Sequence, residues 1–335
     1  MKAKEIFDHF AEELKIVDHQ LLEIFSSNVF LIPMIGKHIL GSGGKRIRPL
    51  FLLLSADLCG YKGANRTLLA AIIEAIHTAS LLHDDVIDGA ETRRGRPAAH
   101  ALWGNQIVVL VGDYLYSNAL KCAVAQKSQK IMEALSNATT RMTEGEILQL
   151  YKVGDPEITE DEYFKIISAK TGILISAACR IGAILGNQPE EIENALSRFG
   201  LKTGIAFQLA DDVLDYVANQ EGLGKNLGKD LEEGKLTMPL INLLKVASDK
   251  EKDEVRNIIK ETSKDWQSEG HRDVSGREKL NRIIELFSKY NTIDESLNTA
   301  WSLINEAKAE LTLFPPSVEK GIILNMAEYA MQREK

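Results

Sequence analysis

The chain has little of what breaks or staples a fold. Only eight prolines interrupt 335 residues, and strand-like alternation over more than a few positions is hard to find, which leaves little room for a sheet protein. Three cysteines, Cys59, Cys122 and Cys179, are odd in number, far apart and set in apolar contexts. They exclude a disulfide framework and read as buried free thiols in a reducing compartment. There is no positive excess: the net charge of -8 argues against a nucleic-acid binder and against a polybasic membrane anchor. No run approaches the roughly 20 apolar residues of a bilayer-spanning helix. The amino end, Met1-Lys2-Ala3-Lys4-Glu5, leads into an amphipathic helix dotted with acids, not a signal peptide. These absences point to a soluble cytoplasmic protein without a transmembrane segment.

What is present is helical periodicity. Hydrophobic residues make up 44% of the chain, enough for a large core. The pattern predicts helices over 3–25, 28–40, 49–59, 65–89, 105–125, 128–152, 159–186, 189–218, 237–247, 251–262, 277–289, 292–311 and 316–332. Thr159 before Glu160-Asp161-Glu162 is a helix start with acids in its first turn. Stretches 65–83 and 166–186 are nearly apolar all round and belong at the centre of a bundle. The polar stretch 248–277 reads as a surface loop between peripheral helices, and the Gly- and Lys-rich 219–235 as a mobile loop over a site. No linker divides the chain, so the expectation is one all-α domain over 1–335.

An acidic pentad occurs twice at the end of an apolar helical stretch: Asp84-Asp85-Val86-Ile87-Asp88 and Asp211-Asp212-Val213-Leu214-Asp215. At 3.6 residues per turn, the first and last Asp of each lie one turn apart on one side, with the middle Asp beside them. Two like charges about 4–6 Å apart repel by roughly 3–4 kcal/mol at an effective dielectric near 20, so a cation is expected. Oxygen ligands without Cys or clustered His suit Mg²⁺, Mn²⁺ or Ca²⁺, and Mg²⁺ completes its shell with water and phosphates. The pentads therefore predict a Mg²⁺-bridged diphosphate site, with the two facing each other across a cavity.

Basic groups answer the acidic ones. Gly41-Ser42-Gly43-Gly44-Lys45-Arg46-Ile47-Arg48-Pro49 precedes an apolar helix. Glycine admits an anion close to the backbone, and a helix amino end favours phosphate. The segment is not a Walker A loop, because Arg46 stands where Ser or Thr is required. His77 lies seven residues before Asp84, almost two turns, and so on the same face. Arg93-Arg94-Gly95-Arg96-Pro97 comes directly after the first pentad, and Arg forks match phosphate oxygens. Lys170-Thr171-Gly172 interrupts an apolar helix, so Lys170 needs an anionic partner. Gln208, one turn before Asp212, is placed to bond the same substrate or to orient a carboxylate; Lys225, Lys229 and Lys235 complete the candidates.

Taken together, the chain resembles the trans-polyprenyl diphosphate synthases, head-to-tail prenyltransferases of the long-chain type. The matching pieces are Gly44 through Pro49, His77, the first pentad with Arg93-Arg94, Lys170-Thr171, Phe207-Gln208 with the second pentad, and Lys225 through Lys235. The resemblance implies an all-α isoprenoid-synthase bundle around a deep central cavity, usually a homodimer. It implies an allylic diphosphate, farnesyl or similar, bound through about three Mg²⁺ ions. Asp84, Asp85, Asp88 and Asp211 would be direct ligands, with Asp212 and Asp215 direct or through water. Arg93, Lys170, Lys225 and Lys235 would contact the allylic diphosphate. Lys45, Arg48, His77 and Arg94 would hold isopentenyl diphosphate.

Product length is argued from sterics. Ala79 and Ser80 lie about one turn before Asp84 and are small; Ala75, another turn down, is small too. Short-chain relatives carry aromatic rings there that close the tunnel. A product of about thirty to fifty carbons is expected by analogy, with Tyr116 and Leu120 as floor candidates. Three alternatives stand beside this reading. A short-chain farnesyl or geranylgeranyl synthase would carry that closing ring. A class I terpene cyclase would not need the basic loop. A non-catalytic subunit would show degenerate pentads.

Overall fold

The computed structural model of the chain describes residues 2–217, 228–267, 274–329 and 331. Its helices, in chain order, are α1 (Ala3–His9), α2 (Ala11–Ile24), α3 (Leu31–Leu40), α4 (Ile47–Leu58), α5 (Asn65–Ile87), α6 (Ala99–Trp103), α7 (Asn105–Val124), α8 (Gln129–Lys152), α9 (Glu160–Ile167), α10 (Ile173–Leu185), α11 (Glu190–Val217), α12 (Lys229–Glu232), α13 (Met238–Val246), α14 (Asp249–Gln267), α15 (Val274–Tyr290), α16 (Thr292–Glu310) and α17 (Val318–Glu328). A π-helical turn, Ser168–Gly172, joins α9 to α10. The one sheet among the described residues is a hairpin of β1 (Thr92–Arg93) and β2 (Arg96–Pro97). The fold is all-α, as the periodicity predicts.

The contacts define two compact units. The first comprises Met1–Thr139, Leu174–Gly200 and Glu310–Met326. Its core forms around α5, which packs on α2, α4 and α7. Helix α4 buries Leu50, Phe51, Leu52, Leu53 and Leu54 on every side, because it is apolar all round. Phe51 meets Phe199 edge to face at 6.2 Å. Small residues set the closest approaches: a Cβ on Gly182 would lie 2.5 Å from Ser55 Cβ and 2.7 Å from the Ala56 nitrogen. One helix was expected over 3–25, but the ladder breaks at Phe10, whose backbone leaves the helical range and whose ring is buried.

The second unit comprises Thr140–Ile173, Leu201–Ala309 and Ala327–Lys335. Helix α13 is buried from Met238 to Leu243 and packs on α9, α14 and α15. Tyr216 meets Phe287 edge to face at 5.0 Å. The expected start of α9 is a capping box: Thr159 Oγ1 accepts from the Glu162 N–H at 3.2 Å, and the Thr159 N–H donates to Glu162 Oε2 at 2.9 Å. These bonds and Lys152 hold the Glu162 carboxyl down to about 2.

Three expectations change. The helix expected over 251–262 is longer, α14 running on to Gln267 and α15 beginning at Val274, so the loop expected over 248–277 is largely helical where it is described; 268–273 lie outside the described residues. The charges of α14 are those of an amphipathic surface helix, with Val255 and Ile259 on the buried side. Part of 219–235 is ordered as α12, while 218–227 lie outside the described residues. Cys59 and Cys179 are buried free thiols, each pushed up to about 12 by burial, but Cys122 is only half-buried.

Among the described residues, two helical stretches, Asn105–Val124 and Glu160–Leu185, reach the length and mean hydropathy of a membrane span. The second is 78% buried, so core packing accounts for its composition. The first is 33% buried and leaves Leu110 and Val124 exposed.

Candidate active site

In the first unit, α5 carries the first pentad in its last turn. Asp88 caps the helix, its N–H bonding the Asp84 carbonyl at 2.7 Å. A helix carboxyl end already bears negative partial charge, so three carboxylates there favour a cation. Asp85 is buried, while Asp84 and Asp88 are half-buried. Arg93 forks onto Asp85: Nε donates to Oδ1 and Oδ2 at 2.8 Å each, and Nη2 lies 2.7 Å from Oδ1. Asp85 is thus held by Arg93, and direct metal ligation by both its oxygens would require that fork to open.

The fork is delivered by the β1–β2 hairpin, which the sequence reading missed. Arg93 pairs with Arg96, and the two turn residues Arg94 and Gly95 have φ of 51° and 73°. That is the signature of a type I′ turn. Arg94 leans over the basic loop: a Cβ on Gly44 would lie 2.5 Å from Arg46 Nη1 and 2.9 Å from Arg94 Nη1. Adjacent arginines therefore serve different groups, Arg93 the pentad and Arg94 the loop.

The loop ends at Arg46, the residue before α4, in a left-handed conformation with φ 50° and ψ 38°. Its guanidinium is buried; Nε donates to Asp18 Oδ1 at 2.6 Å and Nη1 to Glu74 Oε1 at 3.2 Å. Arg48, one residue into α4, places Nη1 3.0 Å from His77 Nε2. Burial and the nearby Arg48, Arg93, Arg94 and Arg46 hold His77 well below the usual imidazole range, so the ring is neutral and accepts from Arg48. Lys45 is exposed beside them. A cavity lined by Gly43, Arg46, Glu74, Asp85, Arg93 and Arg94 joins loop, helix and hairpin. The structure thus brings together Gly44, Lys45, Arg48, His77, Arg93, Arg94 and the first pentad. Glu74 is the residue sequence reasoning missed; a carboxylate within an apolar helix was the signal, since its burial demands a partner.

In the second unit, α11 carries the second pentad at its carboxyl end. Asp211 is exposed, Asp212 buried and Asp215 half-buried. Gln208 Nε2 donates to Asp212 Oδ1 at 2.7 Å and Tyr163 Oη to Oδ2 at 2.5 Å. Thr171 Oγ1 donates to Gln208 Oε1 at 2.7 Å, fixing the amide. Burial pushes the Asp212 carboxyl up to about 7, against the pull of the Tyr163 and Gln208 bonds. Both its oxygens are engaged, so Asp212 is oriented by protein donors. Asp215 accepts the Asp230 N–H at 3.0 Å, and burial raises its carboxyl as well.

Lys170 sits in the π-helical turn, where the Ile173 N–H reaches back to the Ser168 carbonyl. Gly145 of α8 lets this turn approach: its Cβ would lie 2.6 Å from Ala169 Cβ. Lys170 Nζ then reaches Glu146 Oε2 at 2.6 Å and Gln149 Oε1 at 2.8 Å, which is the anionic partner expected from its apolar surroundings. Lys235 Nζ bonds Glu233 Oε2 at 2.7 Å. A cavity lined by Tyr163, Lys170, Thr171, Gln208, Asp212 and Lys235 collects these groups. Lys225 lies outside the described residues. Tyr163 left no signal in the sequence.

Among the described residues no three His, Cys, Asp or Glu side chains converge tightly enough to chelate an ion alone. The donors fit Mg²⁺ in its usual manner, through one or two carboxylates with water and phosphate oxygens completing the shell.

Comparison with known proteins accords with this chemistry. The chain matches the polyprenyl synthetase family over residues 31–271. It is 37% identical to octaprenyl diphosphate synthase of Escherichia coli (strain K12), over all of both chains. It is also 37% identical to the all-trans-nonaprenyl-diphosphate synthase (geranyl-diphosphate specific) of Rhodobacter capsulatus, over 98% of each. The crystal structure of a polyprenyl synthase from Caulobacter crescentus CB15, complexed with calcium and isoprenyl diphosphate, superposes with a TM-score of 0.89 at 35% identity, covering 98% of this chain and 97% of that one. With an acidic pentad on each of two helices, a cationic loop and these relatives, the chain belongs to the polyprenyl synthetase family and is a prenyltransferase.

Proposed function

We propose that the chain condenses isopentenyl diphosphate with an allylic diphosphate, farnesyl or similar, repeatedly, to make an all-trans polyprenyl diphosphate of about thirty to fifty carbons. The observation that carries the reading is the pair Arg93 and Arg94. One grips the first pentad and the next leans on the basic loop, so two anion-handling groups are linked by one peptide bond.

Asp84, Asp85, Asp88, Asp211, Asp212 and Asp215 would hold about three Mg²⁺ ions, which when bound would supply stabilisation of the charge on the departing diphosphate. Arg93, Lys170, Lys225 and Lys235 add cationic contacts to that leaving group. Lys45, Arg48, His77 and Arg94 hold isopentenyl diphosphate so that its alkene stands close to the allylic carbon. The allylic carbon–oxygen bond breaks, the alkene attacks the cation, and a proton leaves to the released diphosphate. Electrons balance without a redox cofactor or a covalent enzyme intermediate.

The neighbourhood of Ala79 and Ser80 supports a long product. Ala79 is fully buried, and Ser80 turns its hydroxyl back onto the His77 carbonyl at 2.8 Å. We read the chain as one synthase domain over 1–335, the family match crossing both units. A homodimer is supported by the apolar residues that α7 leaves exposed, and the cytoplasm by three free thiols.

The test is incorporation of radiolabelled isopentenyl diphosphate with Mg²⁺ and farnesyl diphosphate, products resolved by length. A discrete long prenyl product that disappears in Asp84→Ala establishes the reading. No incorporation with geranyl, farnesyl or geranylgeranyl primers overturns it in favour of a cyclase or a subunit that needs a partner.

A further inference from the structure

Arg46 lies between Lys45 and Arg48, the two cations of the basic loop, and its own guanidinium is taken up by two carboxylates. The guanidinium is buried and spans two helices, α2 through Asp18 and α5 through Glu74. Its backbone is left-handed without being glycine, a conformation roughly 1–2 kcal/mol unfavourable for an L-residue. Such a conformation persists only where the surroundings fix it, and it clusters at ligand sites.

The loop also concentrates like charge. Arg46 and Arg94 both crowd the space a Cβ on Gly44 would take. Burial raises the Glu74 carboxyl, and the charges of Arg46, Arg48 and Arg94 act against that rise. Glu74 is the buried carboxylate of this cluster, in the middle of apolar α5. Three residues on, the same helix presents His77 to Arg48. One face of α5 thus reads the loop twice, with a carboxylate for Arg46 and a neutral imidazole for Arg48.

We propose that Glu74 and Asp18 are positioning residues for the isopentenyl diphosphate site: they clamp Arg46 left-handed and so aim Lys45 and Arg48 at the diphosphate. This rests on the assignment of that site above. Rotation at Arg46 swings Lys45 relative to the first turn of α4, so the clamp sets the spacing of the two cations before substrate arrives. Neither acid touches substrate; each acts through Arg46.

The sign of the effect separates positioning from mere proximity. Glu74 is a negative charge near an anion site. By Coulomb's law alone, Glu74→Gln should tighten diphosphate binding. Positioning predicts the opposite.

The experiment measures KM for isopentenyl diphosphate at saturating farnesyl diphosphate, and KM for farnesyl diphosphate at saturating isopentenyl diphosphate, in wild type, Glu74→Gln and Asp18→Asn, with thermal melts. The expected result is a rise of about tenfold in KM for isopentenyl diphosphate in Glu74→Gln and about threefold in Asp18→Asn, with KM for farnesyl diphosphate unchanged. An unchanged or lowered KM for isopentenyl diphosphate overturns the proposal, as does a loss confined to kcat. If Glu74→Gln does not fold, Asp18→Asn, whose side chain is half exposed, decides by the same criterion. Active wild type with unaltered variants overturns this inference alone. A wild type that consumes no isopentenyl diphosphate overturns the functional reading and the inference with it.

Discussion

Tyr163 donates a hydrogen bond of 2.5 Å to Oδ2 of Asp212, across 49 residues of sequence. With Gln208 on the other oxygen, the middle Asp of the second pentad is locked by two protein donors. Its neighbours Asp211 and Asp215 stand on either side along the helix, so the lock orients the pentad as a whole. Tyr163→Phe removes one donor and leaves a buried carboxylate short of a partner, a loss of about 1–3 kcal/mol in stability. Chemical denaturation should register that loss, and kcat/KM for the allylic substrate should fall about tenfold. A variant with wild-type kinetics would reduce Tyr163 to packing.

His77 accepts from Arg48 as a neutral ring, so Gln, which also offers an acceptor, should substitute better than Lys. His77→Gln is expected to keep most of its affinity for isopentenyl diphosphate, and His77→Lys to lose it, measured as KM. The same bond carries a pH dependence. The folded value is depressed by burial and by Arg48, so the unfolded chain binds the proton first as pH falls. His77 therefore contributes stability that is complete above about pH 6.5 and is lost as pH drops below it. Melting temperatures between pH 7.5 and 5.5 should fall more steeply in wild type than in His77→Gln.

Gly44→Ala places a methyl group against the ends of two arginine side chains, not against backbone. The Arg94 end can move, but the Arg46 end is buried and held by Asp18 and Glu74, so the methyl group strains that clamp as the cationic cradle opens. The expected signature is a raised KM for isopentenyl diphosphate together with a lowered melting temperature.

Gly182→Ala differs, because its Cβ would meet Ser55 Cβ at 2.5 Å and the Ala56 nitrogen at 2.7 Å. Helices α4 and α10 must separate. A loss of about 1–3 kcal/mol is expected in urea denaturation, with KM values little changed.

Ala79→Phe puts a ring on the buried face of α5, about one turn below the first pentad. The product should shorten without loss of turnover, read by chain-length resolution. An unchanged product distribution would sink the tunnel argument.

The helices were legible because a period of 3.6 survives in the sequence wherever one face is buried, and α5 and α11 were placed to within two residues at either end. The pentads and the Arg93-Arg94 pair could be read because their chemistry is local. What stayed hidden was local conformation without compositional mark. The Arg94-Gly95 turn lacks the Asn-Gly or Asp-Gly that usually announces a hairpin. Long-range partners such as Tyr163 for Asp212 and Asp18 for Arg46 leave no spacing to detect. The helix over 251–262 was read from its period, but its run to Gln267 and the start of the next helix at Val274 were missed, because an amphipathic surface helix and a loop share a composition.

The π-helical turn at Ser168–Gly172 amounts to one residue more than a regular helix would hold. Deleting that residue would restore an unbroken ladder and a better helix by backbone criteria. It would also rotate α9 by about 100° relative to Lys170 and Thr171 of the turn itself. Tyr163 would then leave the direction of Asp212, and Lys170 that of Glu146 and Gln149. The segment is therefore intolerant of length change in a way that substitution scanning would not reveal. Deletion of Ala169 should be more damaging than replacement of its side chain, although it removes no chemical group the site uses.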